Sequence, residues 1–328
     1  MNHAFIAASL SNKQEHHLHR DRYENQLLRS RRLRLSASER AYHEPYRRLV
    51  ARNNYLLIVL DSCRYDTFVK ARPKAMRKLG TLQRRWAYAS WTAPSHYNLL
   101  MGLMPHSSPR GVFASDYYQH DFLHFNERLG AEGLEFKKFI PRLYLPALLQ
   151  TLGYKTHARV SLPVLNPLTI LNSGFDSYRL MERHNDMRAM LPEMDFDQDG
   201  PSFYLLNVGE THYPYALPGE APEQWPRISG VHGVFKHLDE HVVGGKLGRK
   251  KSGIFENAKL LELKRRQIEA VKYLDTVIEE LFDLAPRNTY VTITSDHGEL
   301  FGEDGYFGHG PIQHEKVLEV PFLEGKLR

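Results

Sequence analysis

The sequence lacks the features of a disulfide-stabilised or membrane-spanning protein. Its 328 residues include a single cysteine, Cys63, which excludes an intrachain disulfide and a zinc cluster built from cysteines. There is no run of about 18 apolar residues, so no transmembrane segment is predicted. The short apolar run near the start has no basic residue before it, unlike a signal peptide. We therefore expect a cytoplasmic protein.

The composition is that of an ordinary globular protein. Hydrophobic residues make up 42% of the chain and charged residues 25%, which excludes a collagen, a mostly disordered chain and a polytopic membrane protein. The 18 histidines make metal binding or proton transfer worth testing.

The formal net charge of +6 is confined to the beginning of the chain. Residues 1–53 contain eleven Lys or Arg against five Asp or Glu, so residues 54–328 are formally neutral. The charge therefore gives no support for a nucleic-acid-binding core. We interpret residues 1–53 as a basic N-terminal extension, which is either a solvated surface or a contact for an acidic partner, a nucleic acid or a lipid head group.

From residue 54 onward the pattern alternates between strands and helices. A continuous apolar run predicts a buried strand over 55–60, and further strands are predicted over 155–160, 202–208 and 289–294. Helices are predicted over 94–103, 142–152 and 257–284. Strands separated by helices predict a mostly parallel sheet with helices on both faces. Residues 214–253 are rich in proline and glycine and are predicted to be either a lid or disordered.

Polar residues follow two of these strands. Asp61 comes directly after the first strand, and Asp296 and His297 come after the last. Each alone could be a simple cap, but the carboxyl ends of parallel strands meet at one edge of a sheet. A carboxylate and imidazole set suits zinc or manganese better than calcium. We therefore expect Asp61, Asp296 and His297 to be metal ligands, with the Thr92 oxygen as a fourth.

Thr92 lies where a helix is predicted to begin. The N-terminus of a helix favours an anion, and a hydroxyl there is well placed to attack a bound phosphoryl group. The alternative, which the sequence leaves equally open, is that Thr92 is only an N-cap with Pro94 in the first turn.

The ordered set of motifs resembles the sulfatase branch of the alkaline-phosphatase superfamily. The similar segments are an opening strand that ends in Asp61, a nucleophile segment over 92–105, a His-x-Pro-Tyr segment from His212, and a closing motif from Asp296 to His309. The resemblance covers most of residues 54–328. It implies a mostly parallel central sheet with helices on both faces, and no large C-terminal subdomain.

Departures from the sulfatase pattern favour phosphoryl chemistry. Sulfatases need Cys or Ser at the nucleophile position for oxidation to formylglycine, and this chain has Thr92 there. Thr is the nucleophile of related nucleotide pyrophosphatases and of phosphoethanolamine or phosphoglycerol transferases. Ser62 replaces the second Asp of calcium-type sulfatases, and His297 replaces their Asn. The resemblance therefore implies zinc or manganese, as one ion or two.

The resemblance also suggests roles for four further residues. His212 or His96 would protonate the leaving oxygen, and Arg64 would stabilise negative charge on the phosphoryl oxygens. His309 would complete a second metal site or bind those oxygens. For the three histidines, a purely structural hydrogen bond remains the alternative.

The expected function is metal-dependent hydrolysis of a small anionic phosphate ester, a monoester or a diester, through a phosphothreonine intermediate on Thr92. A phosphoryl transferase using the same intermediate and a sulfatase are the alternatives within this chemistry. An alternative of another class is a non-catalytic protein that uses residues 1–53 to bind an acidic partner. A homo-oligomer is compatible with each.

Overall fold

The computed structural model describes residues 53–107, 123–131, 133, 144–196, 200–226 and 257–327. These residues belong to one compact unit that spans 49–328. The basic extension predicted over 1–53 lies outside the described residues except for Asn53, and so does most of the proline- and glycine-rich segment over 214–253.

Seven strands form the central sheet. They follow the spatial order β2-β9-β6-β1-β5-β3-β4, in which β9 is antiparallel to β2 and β6 while β6, β1, β5, β3 and β4 are mutually parallel. The sheet strands are β1 (Asn54–Leu60), β2 (Gln83–Trp86), β3 (Lys155–Val160), β4 (Ser177–Leu180), β5 (Ser202–Val208), β6 (Thr289–Thr294) and β9 (Glu319–Lys326), and a separate two-stranded pair is formed by β7 (Leu300–Phe301) and β8 (Phe307–Gly308).

Six α-helical segments accompany the strands in the described residues. They are α1 (Tyr65–Ala71), α2 (Thr92–Leu100), α3 (123–129), α4 (Leu145–Thr151), α5 (Asn257–Leu284) and α6 (Glu315–Leu318). In this part of the chain no helix combines the length and the apolar character needed to cross a bilayer.

Helices cover both faces of the sheet, which confirms the predicted fold class. On one face, α5 packs its apolar side against strand residues such as Leu56, Ile58 and Ile293. On the other face, the rings of Tyr55 and Phe203 are stacked, and Phe125 of α3 meets Tyr55 edge to face. Alternate residues of β1 therefore enter opposite halves of the core, as a strand buried on both sides requires.

Most predicted boundaries agree with the structure, and the start of α2 does not. The strands over 155–160, 202–208 and 289–294 and the helix over 257–284 are confirmed as predicted. Helix α2 begins at Thr92, two residues before the predicted start, and its N-cap is Trp91. The alternative in which Thr92 only caps the helix is therefore wrong, because the backbone of Thr92 is already helical.

The sheet order brings three strand ends together. Strand β1 is paired with β5 on one side and with β6 on the other. Asp61 follows β1, Asp296 and His297 follow β6, and Asn207 is the penultimate residue of β5. These polar side chains therefore meet at the carboxyl edge of the three central strands, the usual location of ligands in such sheets.

Candidate active site

Asp61, Asp296 and His297 form a compact buried cluster. Each offers a ligand atom, and these atoms all lie within 4.8 Å of one another. All three side chains are buried. The cluster can hold a divalent metal ion, since two carboxylates and one imidazole supply oxygen and nitrogen donors from one side.

The two carboxylate oxygens of Asp296 have different surroundings. Asp296 Oδ1 accepts from the backbone N–H of Ser62 (3.0 Å) and of His297 (2.9 Å). Asp296 Oδ2 is buried without a hydrogen-bond partner among the described residues and lies 3.2 Å from His297 Nε2. A buried carboxylate oxygen without a well-directed hydrogen bond needs a nearby cation. Protonated His297 can be that cation in the metal-free protein, and the same set of atoms fits a metal ion in its place.

Gly298 fixes the imidazole of His297. The Nδ1–H of His297 donates to the Gly298 carbonyl (2.9 Å), which leaves Nε2 available to the cluster. A Cβ atom at Gly298 would lie 2.2 Å from the Lys316 carbonyl oxygen. Only glycine fits this close approach, so the turn that orients His297 depends on it.

In the metal-free protein, Asp296 and His297 stabilise each other's charge. Burial opposes both charges, but their mutual attraction lowers the pKa of Asp296 to about 2 and raises the pKa of His297 to about 9. The stabilisation from His297 is lost as the pH rises through about 9, and that from Asp296 as the pH falls through about 2.

Metal affinity should therefore increase with pH. His297 must lose its proton before Nε2 can bind a metal ion. Since the pKa of His297 is raised to about 9, we expect Mn²⁺ affinity to rise about tenfold per pH unit up to that value and then level off. Calorimetric titration of the metal-free protein with Mn²⁺ at several pH values measures this slope. A flat profile would exclude His297 as a ligand.

Thr92 lies beside this cluster at the start of α2. Its Oγ1 is 3.3 Å from His297 Nε2 and 3.5 Å from Asp61 Oδ1. The structure thus brings together all four residues that the sequence predicts around one ion. The N-terminal end of α2 also carries a partial positive charge, which favours an anionic group in front of the Thr92 hydroxyl.

His96 lies one turn behind Thr92 and is fully engaged. Its Nδ1–H donates to the Thr92 carbonyl (2.8 Å), and its Nε2 accepts from Asn207 Nδ2 (3.3 Å). Both ring nitrogens therefore have protein partners, and the ring is buried. These contacts correspond to the structural alternative for His96, and they give no support to its role as a proton donor.

His212, unlike His96, keeps a ring nitrogen for a ligand. Its Nδ1–H donates to the Tyr213 carbonyl (2.8 Å), so Nε2 is the nitrogen that can hold a second proton and give it to a leaving oxygen. Together with Thr92 and His309, it lines a cavity that opens beside the nucleophile. Of the two histidines proposed as general acid, His212 is the one that this geometry favours.

His309 is held by a buried carboxylate that the sequence alone did not single out. His309 Nδ1 lies 3.2 Å from Glu299 Oε1, and Tyr215 donates to Glu299 Oε2. Burial raises the pKa of Glu299 to about 7. Burial and the neighbouring His297 and His212 hold the pKa of His309 well below its usual range. His309 is therefore neutral, with its ring 4.2 Å from that of His297.

Arg64 has protein acceptors for its guanidinium group, which does not favour the phosphoryl-binding role suggested for it. Its Nε and Nη2 donate to the carboxylate of Asp66, and its Nη1 donates to Glu303 and to the Glu299 carbonyl. Each guanidinium nitrogen therefore has at least one acceptor among the described residues.

Asn207 and Gln267 complete the support of the cluster and were not predicted. Asn207 Nδ2 donates to Asp61 Oδ2 (2.8 Å). Gln267 of α5 donates to the carbonyls of Ser62 (2.9 Å) and Thr211 (3.0 Å), and so ties together the loops after β1 and β5. Both side chains are buried. Asn207 is a polar residue within a mostly apolar strand, and Gln267 is a polar residue on the apolar face of α5; these are the signals that could have revealed them.

Comparison with known proteins gives one matching family. A family model described as Sulfatase matches residues 53–323. No curated protein sequence matches the chain.

Solved structures share the fold at low sequence identity. The C-terminal periplasmic domain of EptC from Escherichia coli, in complex with Zn, is 16% identical over 85% of this chain and 74% of its own, with a TM-score of 0.51. A 2-O GAG sulfatase is 14% identical over 84% of this chain and 65% of its own, with a TM-score of 0.52. At these identities the likeness concerns the fold alone.

Proposed function

Because this chain belongs to the sulfatase family, we propose that it is a metal-dependent hydrolase of phosphate esters with Thr92 as its nucleophile. One observation carries the proposal: the Thr92 hydroxyl lies 3.3 Å from His297 Nε2 and 3.5 Å from Asp61 Oδ1, at the start of a helix. A threonine cannot be converted to formylglycine, which is why we favour phosphate over sulfate esters.

Asp61, Asp296 and His297 would hold the ion, and we propose zinc or manganese for this donor set. A divalent ion there would lower the pKa of the neighbouring hydroxyl and offset charge on the ester oxygens. The dipole of α2 adds a fixed positive potential at the same point. The cluster is buried, and the lower dielectric constant of a buried site strengthens each of these interactions.

The chain's own residues supply the covalent step. Thr92 Oγ1, after losing its proton to solvent, forms a bond to phosphorus while the bond from phosphorus to the leaving oxygen breaks. His212 donates its proton to that oxygen. A water molecule then forms a bond to phosphorus while the bond from phosphorus to Thr92 Oγ1 breaks. One proton of this water returns to His212, the other stays on the released phosphate or phosphomonoester, and Thr92 Oγ1 regains its proton from solvent. An alcohol in place of the water would make the protein a transferase.

The test compares esters that share one leaving group. The full chain, loaded with Zn²⁺ or Mn²⁺, is assayed with nitrophenyl phosphate, bis(nitrophenyl) phosphate and nitrophenyl sulfate. We expect at least one phosphate ester to be hydrolysed faster than the sulfate, and a peptide containing Thr92 to carry a phosphoryl adduct after acid quenching. Turnover of the sulfate alone, or of none of the three esters, contradicts the proposal. Adding glycerol or ethanolamine shows whether an alcohol competes with water for the adduct.

A further inference from the structure

A cavity of about 510 Å³ opens directly beside the proposed nucleophile. Thr92, His212 and His309 supply its polar lining. The rest of its described lining is apolar or glycine, and consists of Trp91, Leu162, Pro163, Val164, Gly310 and Pro311. The volume lies within the range of about 300–1,000 Å³ that is typical of small-molecule sites.

The apolar lining residues, here called the apolar wall, are held by the same side chain that contacts the Asp61, Asp296 and His297 cluster. Asn207 Oδ1 accepts from the backbone N–H of Ser161 (3.2 Å) and of Leu162 (3.3 Å), while its Nδ2 donates to Asp61 Oδ2 (2.8 Å). One buried amide therefore fixes the start of the wall relative to a candidate metal ligand. Trp91, which also lines the cavity, is the residue before Thr92 and the N-cap of α2.

Two members of the wall are unusually exposed for their size and character. Trp91 is 45% exposed and Val164 is 43% exposed. Exposed apolar surface that rims a concave site is characteristic of ligand binding. Among the described residues that line the cavity there is no Lys, Arg, Asp or Glu. Such a wall suits neither a sugar nor a second charged group, both of which need polar partners.

We infer that this cavity binds a hydrocarbon group, an alkyl chain or an aromatic ring, of the phosphate ester that Thr92 attacks. The inference rests on the proposed function for the position of the phosphoryl group. It adds the substrate class: an ester with an apolar substituent within reach of Trp91 and Val164.

Binding of phosphonates tests the inference without requiring turnover. Alkylphosphonates from methyl to hexyl are titrated calorimetrically into the full chain loaded with Mn²⁺. If the alkyl group of the phosphonate enters the cavity, the affinity of the protein for the phosphonate should rise about fourfold for each added methylene. Phenylphosphonate is the second arm, because a ring that binds more tightly than hexyl indicates an aromatic rather than an alkyl substrate. Hexyl- and phenylphosphonate that bind no more tightly than methylphosphonate, or do not bind at all, overturn the inference.

A matched pair of variants locates the effect. Val164→Asn places a polar side chain of similar size in the wall, and we expect it to weaken hexylphosphonate binding about tenfold while methylphosphonate binding changes little. Leu168→Asn is the control, since Leu168 is on the same loop, is 97% exposed and does not line the cavity. Equal effects of the two variants would overturn the assignment of the wall.

The two proposals can fail separately. If the protein hydrolyses an ester but its affinity for phosphonates does not depend on the length of the alkyl group, the hydrocarbon subsite is wrong and the proposed hydrolase activity stands. If the affinity rises with alkyl length but no ester is hydrolysed, the subsite stands and the hydrolase activity is wrong.

Discussion

Thr92→Ala is expected to abolish ester hydrolysis. The substitution removes the oxygen that lies 3.3 Å from His297 Nε2 and 3.5 Å from Asp61 Oδ1. Loss of a covalent nucleophile typically costs about 10³-fold or more in turnover. Steady-state kinetics with the best nitrophenyl ester, together with the mass of the acid-quenched protein, measure both the rate and the adduct.

Two further variants on α2 test whether the loss of activity is due to the Thr92 hydroxyl. Thr92→Ser keeps the hydroxyl, so it should retain measurable turnover and carry the adduct on serine. Ser95→Ala is the control on the same helix, because the Ser95 hydroxyl donates only to the Ala89 carbonyl (3.1 Å) at the back of the turn. We expect Ser95→Ala to keep most of the activity. Undiminished turnover in Thr92→Ala would show that the nucleophile has been wrongly assigned.

The sequence best predicts the strands whose own residues have a strand-like composition, without reference to a neighbouring strand. The segments over 202–208 and 289–294 are rich in aromatic, aliphatic and β-branched residues, and both are confirmed as central strands. Strands β2 and β9 were missed because their strand character comes from pairing with each other and with β6. The segment Gln83–Trp86 is largely polar and half exposed, so only its tertiary partner identifies it as a strand.

The candidate site was predictable wherever a polar residue follows a strand. Asp61, Asp296 and His297 meet because the order of parallel strands dictates it. Gln267 was not foreseen, although it falls four residues after Leu263 on the buried stripe of α5. A glutamine on that stripe must bond to something across the helix interface. Glu299 lies within the closing motif from Asp296 to His309, but its contact with His309 depends on the turn through β7 and β8.

Proximity in sequence does not by itself assign a role to Arg64. It is three residues from Asp61, and its guanidinium forms ion pairs with Asp66 and Glu303. A buried arginine with several carboxylate and carbonyl acceptors usually has a structural role. Arg64 is therefore better explained as a residue that stabilises the loop after β1 than as part of a phosphate site.

Asp61→Asn should have opposite effects on stability with and without metal. Burial, and then the nearby Asp296, raise the pKa of Asp61 above its usual range. A carboxyl whose pKa is raised in the folded state destabilises that state once it is ionised. Removing the charge should therefore raise the melting temperature of the metal-free protein. Asparagine can keep an oxygen for the donor Asn207 Nδ2, which now lies 2.8 Å from Asp61 Oδ2.

The same substitution should remove the stabilisation that metal confers. At a hundredfold excess over its dissociation constant, an ion that binds only the folded state adds about 2.7 kcal/mol to the free energy of unfolding. Thermal melts with Mn²⁺ and with a chelator measure this difference in the parent chain and in Asp61→Asn. Asp304→Asn is the charge-matched control, since the Asp304 side chain is 77% exposed and lies outside the cluster. A metal-induced shift that persists in Asp61→Asn would remove Asp61 from the ligand set. A metal-free Asp61→Asn that melts earlier than the parent would contradict the expected destabilisation by the buried charge of Asp61.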